Sequence, residues 1–271
     1  MMMPSRPVGE LLREWRQRRS LSQLDLAMRA EVSARHVSFL ETGRSSPSRD
    51  MLLHLAEELD VPLRERNALL MAAGFAPAYP ENSLEEPQMK AAREAVELVL
   101  SGHEPYPALA VDRHWHLVTA NRAVGLLLEG IPAELLTPPL NVLRLSLHPE
   151  GLAPNILNLE QWRAHILARL HRQAAATADA KLAELLVELR GMGGGGGAPE
   201  VHAPDFTSLV VPLRVRTRLG VLSFISTTTV FGTPRDITLS ELAIESFFPA
   251  DAATGELLRK AAEAARRSEL S

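Results

Sequence analysis

The chain contains no cysteine in 271 residues. That absence excludes a disulfide scaffold, a thiolate-bound metal and a cysteine nucleophile. Aromatic residues are scarce at 4%, and lysine is nearly missing: Lys90, Lys181 and Lys260 stand among 29 basic residues, the rest being arginine. The arginine bias reads as genome composition rather than mechanism. No apolar run approaches the roughly 20 residues that span a bilayer. The start, Met1 to Arg6, lacks the apolar stretch of a signal peptide, which predicts a cytoplasmic protein with no membrane partner. Neither charge sign dominates, the net charge being −4. Residues 1–73 hold 11 arginines against 10 acids, and the remainder 18 basic residues against 23 acids. A nucleic-acid binder of this composition relies on locally placed charge.

What is present is ordinary globular composition, 46% hydrophobic and 23% charged. At roughly 100–200 residues per domain the length favours two. A turn-rich stretch, Gly74 to Ser83, separates a region without strand signals from one in which alternating apolar runs sit beside long helical ones. These features predict a helical domain over 1–75, a linker over 76–90, an α+β domain over 91–253 and a C-terminal helix over 254–271. Five consecutive glycines, 193–197, lack the Gly-Lys-Ser/Thr ending of a phosphate loop and read as a surface loop.

Five short helices are expected in the first region. Val8, Leu11, Leu12 and Trp15 recur at helical spacing. Ser22, Ser33 and Ser48 are N-cap residues for the next three, and Pro62 opens the fifth as an N1 proline. Two helices joined by a three-residue turn in such a bundle are the layout of a helix-turn-helix. The residues are more specific: Leu21-Ser22-Gln23, then Val32-Ser33 and Val37-Ser38-Phe39-Leu40-Glu41-Thr42-Gly43-Arg44, then Pro47-Ser48. Over about the first 73 residues this pattern resembles the Cro/repressor-like (Xre-type) family. The resemblance implies that Gln23 meets a phosphate and that Ser33, Ala34, Arg35, His36, Ser38 and Phe39 lie on or beside the DNA-facing side of the third helix. It also places Arg44 and Ser46 near the backbone, and Arg16 with Glu41 in an ion pair. Arg35 has the bidentate fork that suits a guanine edge. Ala34 and Phe39 offer apolar contact, and His36 is either a phosphate contact or solvated.

In the second region, Pro107–Asp112 and Trp115–Ala120 read as strands around a turn, and Asn121 opens a helix. Helices are expected over Leu159–Thr177 and Asp179–Arg190, and strands over Ser208–Arg216, Gly220–Phe231 and Thr238–Phe248. Strand-strand-Asn-x-Ala-helix followed by a three-stranded antiparallel meander resembles a PAS domain. Longer motifs are similar to the narrower group of MmyB-like regulators: Tyr106-Pro107-Ala108, Asn141-Val142-Leu143-Arg144, His148-Pro149-x-Gly151, Asn158-Leu159-x-x-Trp162 and Phe231-Gly232-Thr233-Pro234-x-Asp236. The resemblance covers nearly the whole chain. It implies a regulator whose PAS-like domain encloses an apolar cavity for a small apolar, amphiphilic or fatty-acid-like ligand. Arg144 is the candidate carboxylate anchor, with His148, Trp162 and Arg163 as secondary contacts; a structural ion pair for Arg144 and a core role for Trp162 are the alternatives.

No catalytic pattern emerges. His103, His114 and His116 are not backed by further ligands elsewhere in the sequence and read as solvated or core residues, so no metal and no cofactor are expected. There is no Gly-x-Ser-x-Gly, His-Glu-x-x-His or Walker pattern. The expectation is a non-enzymatic transcription regulator that binds a double-stranded DNA operator as a homodimer, because one recognition helix reads only a half-site. The alternative is a regulator or adaptor whose PAS-like domain only dimerises.

Overall fold

A computed structural model describes residues 6–192 and 210–269. The glycine tract 193–197, the start of the strand expected from Ser208 and the last two residues of the chain lie outside them. The chain divides into two compact units, the first comprising residues up to Asn82 with 175–178 and 233–240, the second the remainder.

Short polar caps set the helix boundaries of the first unit. α1 (Val8–Arg18) follows Pro7. The hydroxyls of Ser22, Ser33 and Ser48 then each accept a backbone N–H three residues on, starting α2 (Gln23–Arg29), α3 (Ala34–Glu41) and α4 (Arg49–Glu58). Such caps contribute about 1 kcal/mol each. α5 (Leu63–Ala72) begins one residue later than expected, with Pro62 as its N-cap in an extended conformation rather than inside the helix. Leu12, Trp15, Leu26, Val37, Leu40, Leu52, Leu55 and Leu70 form the core. Gly9 lets α1 approach α3 at backbone distance: a Cβ there would lie 2.4 Å from the Leu40 carbonyl oxygen. The expected linker begins by lying against α5, where the Asn67 side chain accepts from the backbone N–H groups of Ala78 and Tyr79 and donates to the Tyr79 carbonyl.

The first α-helix of the second unit is α6 (Lys90–Gly102), amphipathic and not among the helices expected from the sequence. β1 (Ala108–Val111) and β2 (Leu117–Ala120) follow as expected. The Asn121 side chain fastens their base, accepting from the Ala108 N–H and donating to the carbonyls of Leu100 and Tyr106. Next come α7 (Gly125–Leu128), α8 (Val142–Leu147), α9 (Leu159–Thr177) and α10 (Ala180–Gly191). β3 (Leu213–Thr217) and β4 (Gly220–Val230) form a hairpin turning at Gly220, φ +116°.

The last expected strand, 238–248, is corrected at its start. Asp236 accepts the Leu239 N–H and initiates a short α11 (Ile237–Ser240), so β5 runs over Ala243–Pro249. α11 belongs to the first unit, where Asp236 also accepts from the backbone and side-chain nitrogens of Asn82. α12 (Ala252–Glu269) ends the described chain.

The strand order is β2-β1-β5-β4-β3, and every pairing is antiparallel. β4 pairs with β3 along Gly220–Phe224 and with β5 along Phe224–Val230, so Phe224 is shared by both ladders. Sheet and helices enclose one core built on Leu109, Val111, Trp162, Ile166, Leu170, Leu222 and Phe224. This is the α+β PAS-like layer implied by the resemblance.

Candidate functional site

The first candidate surface is the outer side of α3. Val37, Leu40 and Glu41 turn inward, which leaves Ser33 and Arg35 exposed and Ala34, His36, Ser38 and Phe39 half-buried. Arg35 and Arg44 both lie over the Phe39 ring, at 5.1 and 5.9 Å from its centroid. Two guanidinium groups are therefore gathered around one aromatic ring. Arg44 and Ser46 are exposed just past the helix, where Gly43 at φ +72° turns the chain. Ser33 is already committed as the α3 cap.

Gln23, at the start of α2, donates through Nε2 to Glu41 Oε2 at 2.8 Å. An amide nitrogen carries two N–H donors, and this bond spends one of them while fixing the side chain. Glu41 also receives Arg16 in a bidentate pair, Nε to Oε1 at 2.6 Å and Nη2 to Oε2 at 2.8 Å. The structure thus brings Arg16, Gln23 and Glu41 together, linking α1, α2 and the end of α3.

The second candidate site is a cavity inside the second unit. Its volume is about 90 Å³. Leu109, Leu117 and Phe247 line it from the sheet, Val124 and Leu127 from the following turn and α7, Leu143 and Leu145 from α8, and Trp162 and Ile166 from α9. Four polar groups interrupt this apolar wall: Ser146, His165, Arg169 and Glu245. The Ser146 hydroxyl accepts from Trp162 Nε1 at 3.0 Å, and Trp162 stacks on His165. Arg169 donates to both Glu245 oxygens, at 2.7 and 2.8 Å, and to Thr228 Oγ1 at 2.6 Å. Its guanidinium lies 4.4 Å from the centre of the Trp115 ring. The Glu245 side chain is 6% exposed, and the guanidinium supplies both of its oxygens with donors in that setting. Burial, followed by the neighbouring Arg169 charge, lowers the pKa of His165 and keeps the imidazole neutral.

Two family models match the chain. A helix-turn-helix model matches residues 12–66, and the model of the MmyB-like transcription regulator ligand binding domain matches residues 92–261, more than half of the sequence. The chain belongs to the MmyB-like transcription regulators. A search of curated proteins finds no match. An MmyB-like regulator carries a helix-turn-helix for DNA and a second domain for a small molecule, so both candidate sites fall in the domains that the family uses for those tasks. Both matched families are regulatory rather than enzymatic. Among the described residues, no helix is long and apolar enough to cross a membrane.

Of the residues expected to contact ligand in this MmyB-like domain, Trp162 lines the cavity and the other three do not. Arg144 points outward from α8 and is held by Glu188, Nε to Oε1 at 2.6 Å and Nη2 to Oε2 at 2.7 Å. Its apolar neighbours Leu143 and Leu145 take the inward positions instead. Arg163 donates to the carbonyls of Leu189 and Arg190 at the end of α10. His148 accepts the Glu150 N–H and lies with Arg144 in a neighbouring depression. The Arg169–Glu245 pair, which the sequence reading missed, carried a signal on each side. Arg169 recurs with Trp162 and Ile166 on one helical face, and Glu245 interrupts a buried strand run.

Proposed function

We propose that this MmyB-like regulator reads a DNA operator with α3 and is controlled by a chain-like apolar effector held in the second-unit cavity. The α3 reading rests on placement: Arg35 carries the sequence discrimination, while Gln23, Arg44 and Ser46 position the duplex through its phosphates. Ser33, Ala34, His36, Ser38 and Phe39 complete that surface. Because one α3 reads one half-site, two copies act together on half-sites about one DNA turn apart or a multiple of it. DNA as partner puts the site of action in the cytoplasm. The effector acts only in so far as it binds one state of the protein better than another.

The observation that carries the effector reading is the charged pair on an otherwise apolar wall. Arg169 and Glu245 together offer donors and acceptors to a visiting head group. A bare carboxylate meets Arg169 only against repulsion from Glu245. A head that both donates and accepts, such as a protonated carboxyl or an alcohol, fits without breaking the pair. The effector is therefore fatty-acid-like in its chain and neutral, or neutralised, in its head, with Trp162 beside the chain.

Native mass spectrometry of purified protein followed by titration with a C10–C16 fatty acid and the matching alcohol tests this. The alcohol is expected to bind at least as tightly as the acid at neutral pH, and Glu245→Gln to strengthen acid binding. A tighter acid than alcohol, with no gain in Glu245→Gln, rejects the head-group assignment. No binding of either leaves dimerisation as the role of the domain.

A further inference from the structure

The turn between β1 and β2 carries chemistry that neither the α3 surface nor the cavity uses. Its sequence is Asp112-Arg113-His114-Trp115-His116. Asp112 Oδ1 closes the turn by accepting the backbone N–H groups of His114 and His116, both at 2.8 Å. Trp115 stands between the histidines at φ +69° with its side chain in the core. A left-handed backbone is rare for so bulky a residue. The two imidazoles flank this kink with centroids 6.0 Å apart. One nitrogen of each ring and one oxygen of Asp112 lie within 4.8 Å of one another. The turn itself needs only Asp112 Oδ1, and nothing in its backbone pattern calls for imidazole at 114 and 116.

The surroundings are those of histidine ligands held ready. His116 Nδ1 lies 2.9 Å from Asp112 Oδ2. His114 Nε2 lies 3.0 Å from Oδ2 of Asp179, whose other oxygen caps α10 by accepting the Lys181 N–H. An ionised carboxylate only accepts, so Nε2 of His114 is the donor in this contact and Nδ1 is the ring nitrogen left to face an ion. A carboxylate bonded to the far nitrogen is the usual means of orienting a metal-bound histidine. Charge points the same way. Asp112, Asp179 and Glu241 lie around this turn, and the Arg113 guanidinium lies 3.6 Å from Asp179 and 3.4 Å from Glu241. The side chains of His116 and Asp112 are 34% and 39% exposed, which leaves an entry path.

We propose that Asp112, His114 and His116 bind a divalent first-row transition-metal ion of the Zn²⁺ type, with Asp179 orienting His114. Two imidazoles and one carboxylate suit Zn²⁺, Co²⁺, Ni²⁺ or Cu²⁺ and not Mg²⁺ or Ca²⁺, which favour all-oxygen shells. Water fills the remaining positions. Trp115, between the two histidines, also lines the cavity, so the ion fixes the backbone of one cavity wall.

The test uses the full chain, tag-free and stripped with EDTA, titrated with Zn²⁺ by calorimetry and with Co²⁺ by visible absorption. One ion per chain is expected. His114→Ala and His116→Ala should each weaken Zn²⁺ binding at least tenfold, and Asp179→Asn by about 10–100-fold. His171→Ala, at an exposed position on α9, should leave it unchanged. Asp112→Asn retains an oxygen for both backbone N–H groups, so it should weaken binding while the circular dichroism spectrum is preserved. Absence of stoichiometric uptake by the wild-type chain, or equal uptake by the His114→Ala and His116→Ala variants, overturns the assignment.

Discussion

Glu41→Ala tests whether the first unit is organised around one buried carboxylate. The side chains of Glu41 and Arg16 are 2% and 9% exposed. Removing the carboxylate deprives Arg16 of two hydrogen bonds and Gln23 of one, and leaves the guanidinium with the Leu21 carbonyl at 2.7 Å. Stranding one partner of a buried pair costs about 3–5 kcal/mol. At about 4–8 °C per kcal/mol for a domain of this size, even the low end lowers Tm by roughly 12 °C. The loss comes from the stranded charge rather than from the attraction itself. Arg16→Met combined with Glu41→Leu should therefore recover most of it, because well-packed apolar replacements of a buried pair are often neutral or better. Scanning calorimetry with and without duplex DNA provides the assay, the first unit's transition being the one that DNA raises. A Glu41→Ala cost below about 1 kcal/mol, or a double variant no better than the single ones, refutes the reasoning.

Three further outcomes are expected. Gly9→Ala drives a methyl to 2.4 Å from the Leu40 carbonyl oxygen and 2.7 Å from that of Glu41, so calorimetry should show the first unit destabilised by about 1–3 kcal/mol; an unchanged Tm would mean that α1 and α3 do not meet at Gly9. Arg144→Ala removes a pair whose side chains are 44% and 39% exposed, worth at most about 1 kcal/mol, and effector affinity measured by titration should stay within twofold of wild type, whereas Arg169→Ala should reduce it. Because the folded state lowers His165 below its ordinary 6.5, the unfolded chain binds a proton there that the folded chain refuses. Stability of the second unit should fall as pH drops below about 6.5, by at most about 1.4 kcal/mol per pH unit from this group, until the lowered folded pKa is reached. Urea midpoints from pH 8 to 5 should show that slope reduced in His165→Phe, and identical profiles would remove His165 as its source.

The helices of the first unit were legible because their caps are local: a serine and the N–H three residues on are all that Ser22, Ser33 and Ser48 require. The first two helices end where the loss of helical spacing places them, near Ser20 and Glu31, although each closes on a left-handed residue other than glycine, as α4 does at Asp60. The motif His148-Pro149-x-Gly151 was visible as a resemblance, and the structure supplies its physical reason, since a Cβ at Gly151 would stand 2.3 Å from the Leu145 carbonyl oxygen. Arg144 and Arg169 show the limit. Both are arginines on apolar helices, and only the facing element distinguishes them, Glu188 outside the cavity for one and Glu245 on its wall for the other. Such partners lie 44 and 76 residues away in sequence, beyond the reach of any local pattern. The α11 turn escaped for a different reason: its cap is local, Asp236 accepting the Leu239 N–H, but the residues it starts read equally as the beginning of a strand.

Phe224 is the residue of β4 at which its ladders with β3 and β5 overlap. Gly220–Ser223 are zipped to β3, while Ile225–Val230 are zipped to β5. Parting the hairpin therefore leaves every rung of the β4–β5 ladder beyond Phe224 intact. On its other side β3 is tied by the Leu157 N–H to the Arg214 carbonyl, while β4 at Ser223 is held by the Ala250 N–H and the Thr254 hydroxyl. Leu213 lies in that hairpin and on the cavity wall. Parting of that hairpin would thus disturb the cavity wall at Leu213 while leaving the wall residues Glu245 and Phe247 in their ladder with β4.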